Sequence, residues 1–155
     1  MPKAPRVIYS LGTSRRSLRE FVDLLREHAI EVGVDVRSFP QSRFPHFSRP
    51  VLSRELASEG IGYLYLGEEL GGFRKEGYLR HMASEAFRRG MGRLERIGQK
   101  RRTAFFCAER FPWRCHRRWI SEELIRRGWR VLHILGPGEI WEPGPEEVDI
   151  LPGLF

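Results

Sequence analysis

Five short apolar runs alternate with helical patterns along this chain, and this alternation restricts its fold more than any other feature. The runs are RVIYSLG, EVGVDVR, IGYLYLG, RTAFFCAE and RVLHIL. The segments between them place apolar residues at helical spacing, as in SLREFVDLLREHAI after the first run. Alternating strands and helices predict a parallel sheet covered by helices on both faces. We therefore predict an α/β three-layer sandwich with a mostly parallel sheet of about five strands.

Capping residues and glycines predict where the helices begin and end. Ser14 or Ser17 is the predicted N-cap of the first helix, because a serine hydroxyl accepts from the unpaired amides of a first turn. A long helical pattern covers residues 78–97. Gly90 and Gly92 lie within it and predict a break, because glycine weakens a helix.

The size of the chain suits one globular domain. It has 155 residues, of which 41% are hydrophobic, and that is enough to bury a core. We predict a single domain over residues 1–135 and a Pro- and Gly-rich acidic tail over residues 136–155 that packs on it. No apolar run approaches the roughly 18 residues of a membrane span, and the N-terminus has no signal-peptide pattern. We therefore expect a cytoplasmic protein with no membrane partner.

Positive charge is concentrated in the body of the chain. The net charge is +7, but residues 136–155 hold five acids and no Lys or Arg, which leaves 27 basic and 15 acidic residues in the body. A basic body favours anionic partners such as nucleotides or nucleic acid. The alternative is a compositional bias, because 24 of the basic residues are Arg and only three are Lys.

The ends of the predicted strands are rich in Gly, Ser and Arg. They read LGTSRRS, DVRSFPQSR, LGEELGG, CAERFPWRCHRR and LGPG. In open parallel sheets, ligands bind outside the carboxyl ends of the strands. This convergence predicts an anion-binding cleft at the carboxyl edge of the sheet.

The stretch CAERFPWRCHRR carries both cysteines of the chain, Cys107 at the predicted strand end and Cys115 where we expect the next helix to begin. A thiol near a helix N-terminus and beside arginines favours the nucleophilic thiolate. The layout is similar to the anion cradles of cysteine phosphatases and sulfur transferases. However, this loop contains no glycine, and six residues separate Cys107 from Arg114. The alternative is that Cys107 is a buried structural thiol.

Glu109 is the second candidate for chemistry, because a carboxylate two residues after Cys107 could act as a general acid or base. The alternative is an ion pair with Arg37 or Arg117. The spacing of Cys107, Cys115 and His116 is not one of the usual zinc spacings. We therefore predict neither a metal site nor a cofactor.

The segment DVRSFPQSRFPHFS supplies the candidate ligand-binding residues Asp35, Arg37, Ser42 and Arg43. Arginines can hold phosphate through two parallel hydrogen bonds, although Arg37 has the alternative of an ion pair with Asp35 or Glu109. Phenylalanines alternate with these arginines and suit stacking on a nucleic-acid base, or alternatively packing on the core.

Several of these motifs together resemble one family. The runs IYSLGTSRRSLREFVDLL, VDVRSFPQSRFPHFS, LGG and CAERFPWRCHRRWISEELIRRGWRVLHI, over about residues 6–135, are similar to the domain-of-unknown-function family 488. The resemblance implies a compact α/β domain and a shared site, but no reaction. The turn after the first strand departs from the family's usual Gly-His-Ser, because Thr13 occupies the histidine position. The residues that the resemblance carries over are Gly12, Ser14, Asp35, Arg37, Pro40, Ser42, Arg43, Cys107, Glu109, Cys115, His116 and Arg117.

These observations lead to one principal hypothesis and two alternatives. The chain is predicted to bind a phosphate-bearing ligand, a nucleotide or nucleic acid, with Cys107 and Glu109 as the groups for chemistry. Whether it is an enzyme stays open, because a non-catalytic module for nucleic acid or protein has the same features. A thiol redox sensor using Cys107 and Cys115 is the other alternative. The predicted binding residues are Gly12, Ser14, Asp35, Arg37, Ser42, Arg43, Cys115, His116 and Arg117.

Overall fold

The structure is a computed structural model that describes residues 6–40 and 43–144. Its strands are β1 (Arg6–Gly12), β2 (Val32–Asp35), β3 (Gly62–Tyr65), β4 (Thr103–Cys107), β5 (Trp129–Gly136) and β6 (Glu139–Trp141). Its α-helices are α1 (Leu18–Glu27), α2 (Arg49–Ser58), α3 (Gly67–Leu70), α4 (Tyr78–His81), α5 (Glu85–Lys100) and α6 (Arg117–Arg126). Short 3₁₀ turns lie at Pro45–Phe47 and Pro112–Arg114.

The six strands form one mixed sheet in the order β3-β2-β4-β1-β5-β6. The five predicted strands pair in parallel, whereas β6 is antiparallel to β5. The predicted α/β sandwich with a mostly parallel sheet is therefore confirmed. The sixth strand comes from the first part of the predicted tail, and residues 145–155 lie outside the described residues.

Two hydrophobic cores lie on opposite faces of the sheet. One face packs α1 and α2 through the buried side chains of Phe21, Leu25, Leu52 and Leu56. The other face packs α5 and α6 through buried residues that include Met91, Leu94, Ile120 and Leu124. Burial on both faces explains why the strands read as continuous apolar runs.

Helix α1 begins as predicted and ends earlier than predicted. Ser17 and Glu20 form a reciprocal capping box, so one of the two predicted caps is confirmed. The helix ends at Glu27, because Ala29 has a φ of 54° and its amide donates to the carbonyl of Arg26. The amide of Ile30 reaches the carbonyl of Leu25, which completes a helix-ending motif. Ala29 is exposed, whereas Ile30 is buried and continues the apolar side of α1 from the turn.

The predicted break at Gly90 and Gly92 is wrong. The long pattern divides earlier, at Ser84, whose hydroxyl accepts from the amide of Phe87 and caps α5. A Cβ on Gly90 would lie 2.6 Å from the Cβ of Glu69. Gly90 therefore allows α5 to approach α3 closely and does not interrupt the helix.

The strand order places a crevice at the carboxyl end of β4. The connection from β1 leaves through α1 on one face, and the connection from β4 leaves through α6 on the other. Because β1 and β4 are neighbours, their following segments separate and leave a gap at this edge. Cys107 is the last residue of β4 and lies opposite Gly12 of β1.

Candidate functional site

The end of β1 and the loop after β4 are in unusually close contact. A Cβ on Gly12 would lie only 1.9 Å from the carbonyl oxygen of Glu109, so a side chain at this position would displace the loop. The amides of Thr13 and Ser14 donate to the carbonyls of Cys107 and Ala108 at 2.8 and 2.9 Å. This contact explains why a glycine occupies the end of β1.

Arg117, the first residue of α6, lies beneath this loop and is completely buried. Its Nε donates to the Sγ of Cys107 at 3.0 Å, and its Nη1 donates to the Oγ of Ser10 at 2.9 Å. Its Nη2 donates to the carbonyls of Glu109 and Arg110. Within residues 6–40 and 43–144, no carboxylate forms an ion pair with Arg117.

A buried cation needs a countercharge, because an uncompensated charge in the interior is costly. The Sγ of Cys107 contacts Arg117 and can become an anion. Burial alone would raise the pKa of the Cys107 thiol, but the hydrogen bond with Cys115 and the charge of Arg117 lower it to about 5. Arg117 therefore favours the thiolate form of Cys107.

Cys115 is the protonated partner of this thiolate. Its Sγ lies 3.3 Å from the Sγ of Cys107, and both cysteines are free thiols. The hydrogen bond to Cys107, together with burial, raises the pKa of Cys115. Cys115 has an extended backbone with φ of −148°, so α6 begins at Arg117 and not at the predicted Cys115.

Ser10 and His133 hold the other side of the Arg117 guanidinium. The Oγ of Ser10 accepts from Arg117, so its own hydrogen is available to the Nδ1 of His133 at 2.5 Å. Burial and the charge of Arg117 lower the pKa of His133 to about 3, which keeps the imidazole neutral and Nδ1 able to accept. His133 is therefore a buried histidine with a hydrogen-bond partner.

Ser10 is not among the residues that the sequence predicts for the site. Its signal was a lone hydroxyl inside the apolar run RVIYSLG, which must find a partner when it is buried. The partner, His133, comes from the neighbouring strand β5, where it lies directly opposite Ser10.

Asp35 and Arg37 form a buried ion pair at the end of β2. The guanidinium of Arg37 donates from Nε and Nη2 to the two carboxylate oxygens at 2.9 and 2.8 Å. Its Nη1 donates to the carbonyl of Phe47, and the hydroxyl of Tyr63 donates to Asp35. Arg37 therefore forms the ion pair with Asp35 that was the alternative to ligand binding. Its contact with Phe47 also holds the start of the segment that leads into α2.

His116 closes the same edge from the start of α6. Its Nε2 lies 2.7 Å from the carbonyl of Val36, and its ring packs so closely on Gly72 that a Cβ there would approach Nδ1 to 2.5 Å. Burial lowers the pKa of His116, so the ring is neutral at pH 7. Its role in the structure is to fix the distance between β2 and α6.

Two clefts open on either side of the loop after β4. The thiol cleft has a volume of about 370 Å³ and is lined by Arg37, Ser38, Phe39, Gly72, Phe73, Cys107, Ala108, Glu109, Cys115 and His116. The arginine cleft has a volume of about 470 Å³ and is lined by Thr13, Ser14, Arg15, Arg43, Phe44, Ala108, Glu109 and Arg110. The two clefts share Ala108 and Glu109.

The structure brings most of the predicted site residues to this edge. The side chain of Glu109 is exposed between the two clefts and forms no ion pair with a residue in the described ranges. Asp35 and Arg117 lie buried below the clefts. Ser42 lies outside the described residues. The predicted residues that line a cleft are Ser14, Arg37, Arg43, Cys107, Glu109, Cys115 and His116.

Neither a metal cluster nor a membrane helix is present in the part of the chain that the structure describes. No three His, Cys, Asp or Glu residues there are grouped as metal ligands. No helix there is long and apolar enough to cross a bilayer.

Comparison with known families assigns the chain. The model described as "Domain of unknown function DUF488" matches residues 17–124, which is more than half of the sequence. The chain belongs to the DUF488 family. The matched region of this DUF488 protein contains Asp35, Arg37 and the whole CAERFPWRCHRR stretch, whereas the Gly12-Thr13-Ser14 turn and His133 lie outside it. No curated protein and no solved structure matches the chain.

Proposed function

We propose that this DUF488 protein binds a phosphate-bearing ligand, a nucleotide or a segment of nucleic acid, across the end of β4, with the Cys107 thiolate as its nucleophile. The observation that carries the proposal is the pairing of Cys107 with Arg117 at the base of the thiol cleft. A carboxylate would compensate the buried guanidinium equally well, but it would not supply a thiolate nucleophile. Arrangements that keep a thiolate next to an open cleft are typical of reactive cysteines.

The arginine cleft supplies the positive charge for the phosphate. Arg15, Arg43 and Arg110 line it, and none of them forms an ion pair with another described residue. Burial lowers the pKa of Arg16 behind the cleft, and repulsion from Arg110 acts in the same direction. An anion bound at this edge would relieve that repulsion.

The thiol cleft supplies an apolar surface for a base. Phe39 and Phe73 lie at its mouth, with side chains 64% and 65% exposed and ring centroids 5.5 Å apart. Exposed aromatic rings at a cleft suit stacking with a nucleobase, which has a flat face whatever its sequence. In this proposal the base lies against Phe39 and Phe73, and the phosphate crosses Ala108 into the arginine cleft.

Glu109 completes the proposal as the acid or base. Its carbonyl is held by Arg117 while its side chain is exposed between the two clefts. A carboxylate at that position can exchange protons with a ligand that spans both clefts. Arg117 acts through Cys107 and not on the ligand, because it is buried below the cleft.

The test is a binding titration with a fluorescent nucleoside triphosphate and a short oligonucleotide at several salt concentrations. Replacing Arg15 and Arg43 together by Ala should weaken binding at least about ten-fold and reduce its salt dependence. The matched control replaces Arg89 and Arg96 together by Ala, which removes the same two charges from exposed sites on α5, away from both clefts. Normal binding by the Arg15 and Arg43 double variant would overturn the proposal. The non-catalytic module would be favoured if binding is lost when the arginines are replaced and Cys107 of the wild type is unreactive.

A further inference from the structure

Two free thiols lie side by side at the base of the thiol cleft. Cys107 ends β4, and Cys115 lies in the turn before α6, so the two side chains approach from separate elements. Their Sγ atoms are 3.3 Å apart, whereas a disulfide requires about 2.05 Å. The sulfur atoms must therefore come about 1.3 Å closer for a disulfide to form.

Access to this pair is restricted to small molecules. Cys107 is only 2% exposed, although it lines the thiol cleft together with the half-buried Cys115. The buried Arg117 contacts the Cys107 sulfur from the protein interior, and His116 lines the same cleft as the two thiols. A protein disulfide cannot reach a sulfur atom at this depth, but a small electrophile in the cleft can.

We propose that Cys107 reduces small hydroperoxides and that Cys115 resolves the product as an intramolecular disulfide. The Cys107 thiolate attacks one peroxide oxygen, the O–O bond breaks, and the leaving alkoxide or hydroxide takes a proton from water. Cys107 becomes a sulfenic acid. Cys115 then loses its proton and attacks the Cys107 sulfur, the S–O bond breaks, and hydroxide leaves with a proton as water. The two sulfurs are oxidised, and the hydroperoxide is reduced to an alcohol and water.

Arg117 makes the resulting disulfide easy to reduce. When Cys107 enters a disulfide, the buried guanidinium loses the thiolate that compensates its charge. The reduced form is favoured because it restores this pair, so a small thiol such as dithiothreitol should return the protein to its starting state. The dithiol pair therefore works as a reversible peroxide-reactive centre.

This reaction rests on the same thiolate as the proposed function and regulates it. Oxidation consumes the nucleophile, whereas the arginine cleft keeps its charges because none of its side chains changes protonation or position in the chemistry. A hydroperoxide is therefore expected to stop reactions at Cys107 without preventing anion binding. The two proposals can fail separately, because one is measured by peroxide consumption and the other by binding.

The experiment uses the reduced full chain with hydrogen peroxide and tert-butyl hydroperoxide as probes. The wild type should lose two hydrogen atoms in its intact mass, and peptide mapping should join Cys107 to Cys115. Cys107→Ser should lower the rate of peroxide consumption at pH 6 at least about ten-fold, because the reactive thiolate is gone. Cys115→Ser should keep the first step and accumulate a sulfenic acid at Cys107, detected as a dimedone adduct. A double variant with Arg89 and Arg96 of α5 replaced by Ala, away from both clefts, should react like the wild type.

Two outcomes would overturn this inference. One is peroxide consumption at the same rate by the wild type and Cys107→Ser. The other is a wild-type protein in which peptide mapping finds Cys107 oxidised but never joined to Cys115. The mapping is done on the wild type, so it remains decisive even where a cysteine variant folds poorly.

Discussion

Arg117 donates from its Nε to the Sγ of Cys107 over 3.0 Å, and it does so from a completely buried position. The pair explains how a thiol at the end of an apolar strand can be ionised. Burial raises the free energy of an isolated thiolate, but a buried guanidinium beside it is stabilised by the same negative charge. Each group therefore compensates the charge of the other.

We expect Arg117→Lys to raise the pKa of Cys107. Lysine keeps the charge, but its single ammonium cannot replace the three donor atoms that contact Cys107, Ser10 and the loop. The pH dependence of iodoacetamide labelling, followed by mass spectrometry, should give an apparent pKa near 5 in the wild type and at least about one unit higher in the variant. Arg118→Lys is the matched control, because Arg118 is the next residue of α6 and pairs with Glu122. Equal pKa values in all three proteins would contradict the assigned role of Arg117.

The thiolate should also make stability depend on pH. The folded pKa of Cys107 is about 5, below the value of about 8.5 for a thiol in an unfolded chain. Between these values the unfolded chain binds a proton that the folded chain does not, so stability rises with pH. This contribution is complete above about pH 8.5 and is lost as the pH falls through about 5.

Cys107→Ser tests this linkage in urea unfolding between pH 6 and 8. As the pH rises, the free energy of unfolding of the wild type should increase by up to about 1.4 kcal/mol per pH unit more than that of the variant. His133 is present in both proteins, so its own titration cancels in the difference. Parallel stability curves would show that Cys107 is a neutral thiol in the folded state.

Ser10→Ala should disturb the same centre from the opposite side. The substitution removes the acceptor of Arg117 Nη1 and leaves the Nδ1 of His133 without its donor. We expect a loss of about 1–3 kcal/mol in the free energy of unfolding, and a pKa of Cys107 that is about one unit higher. Ser121→Ala is the control, since the Ser121 hydroxyl donates to the backbone carbonyl of Arg117 and not to its side chain. Identical labelling profiles for the two alanine variants would rule out a positioning role for Ser10.

Asp35→Asn should be strongly destabilising. The change leaves Arg37 buried without its carboxylate, which costs about 3–5 kcal/mol when a buried ion pair is broken. Asp23→Asn breaks an exposed pair with Arg19 and should leave the stability close to that of the wild type. Urea denaturation of the two variants measures the difference. A small effect at Asp35 would mean that Arg37 finds its countercharge elsewhere.

The architecture could be predicted because each local pattern agreed with its neighbours. The five apolar runs all became parallel strands, and Ser17, one of the two predicted caps, caps α1. The error at Gly90 has a physical reason. The sequence does not distinguish a glycine that breaks a helix from one that lets another helix approach. Here the position of α3 shows that Gly90 allows a close approach.

The candidate site was predictable in its location but not in its internal pairing. The sequence by itself determined a parallel α/β sheet, because strand and helix periodicities are local. It also determined that cysteines and arginines lie at the carboxyl edge of the sheet, because every parallel strand ends there. Only the tertiary structure decided that Arg37 is bound by Asp35, that Arg117 is bound by Cys107, and that Ser10 meets His133. These partners lie on different elements, or they meet only in particular side-chain conformations. Burial decides among them, because a buried charged or polar group must lie next to a group that compensates it.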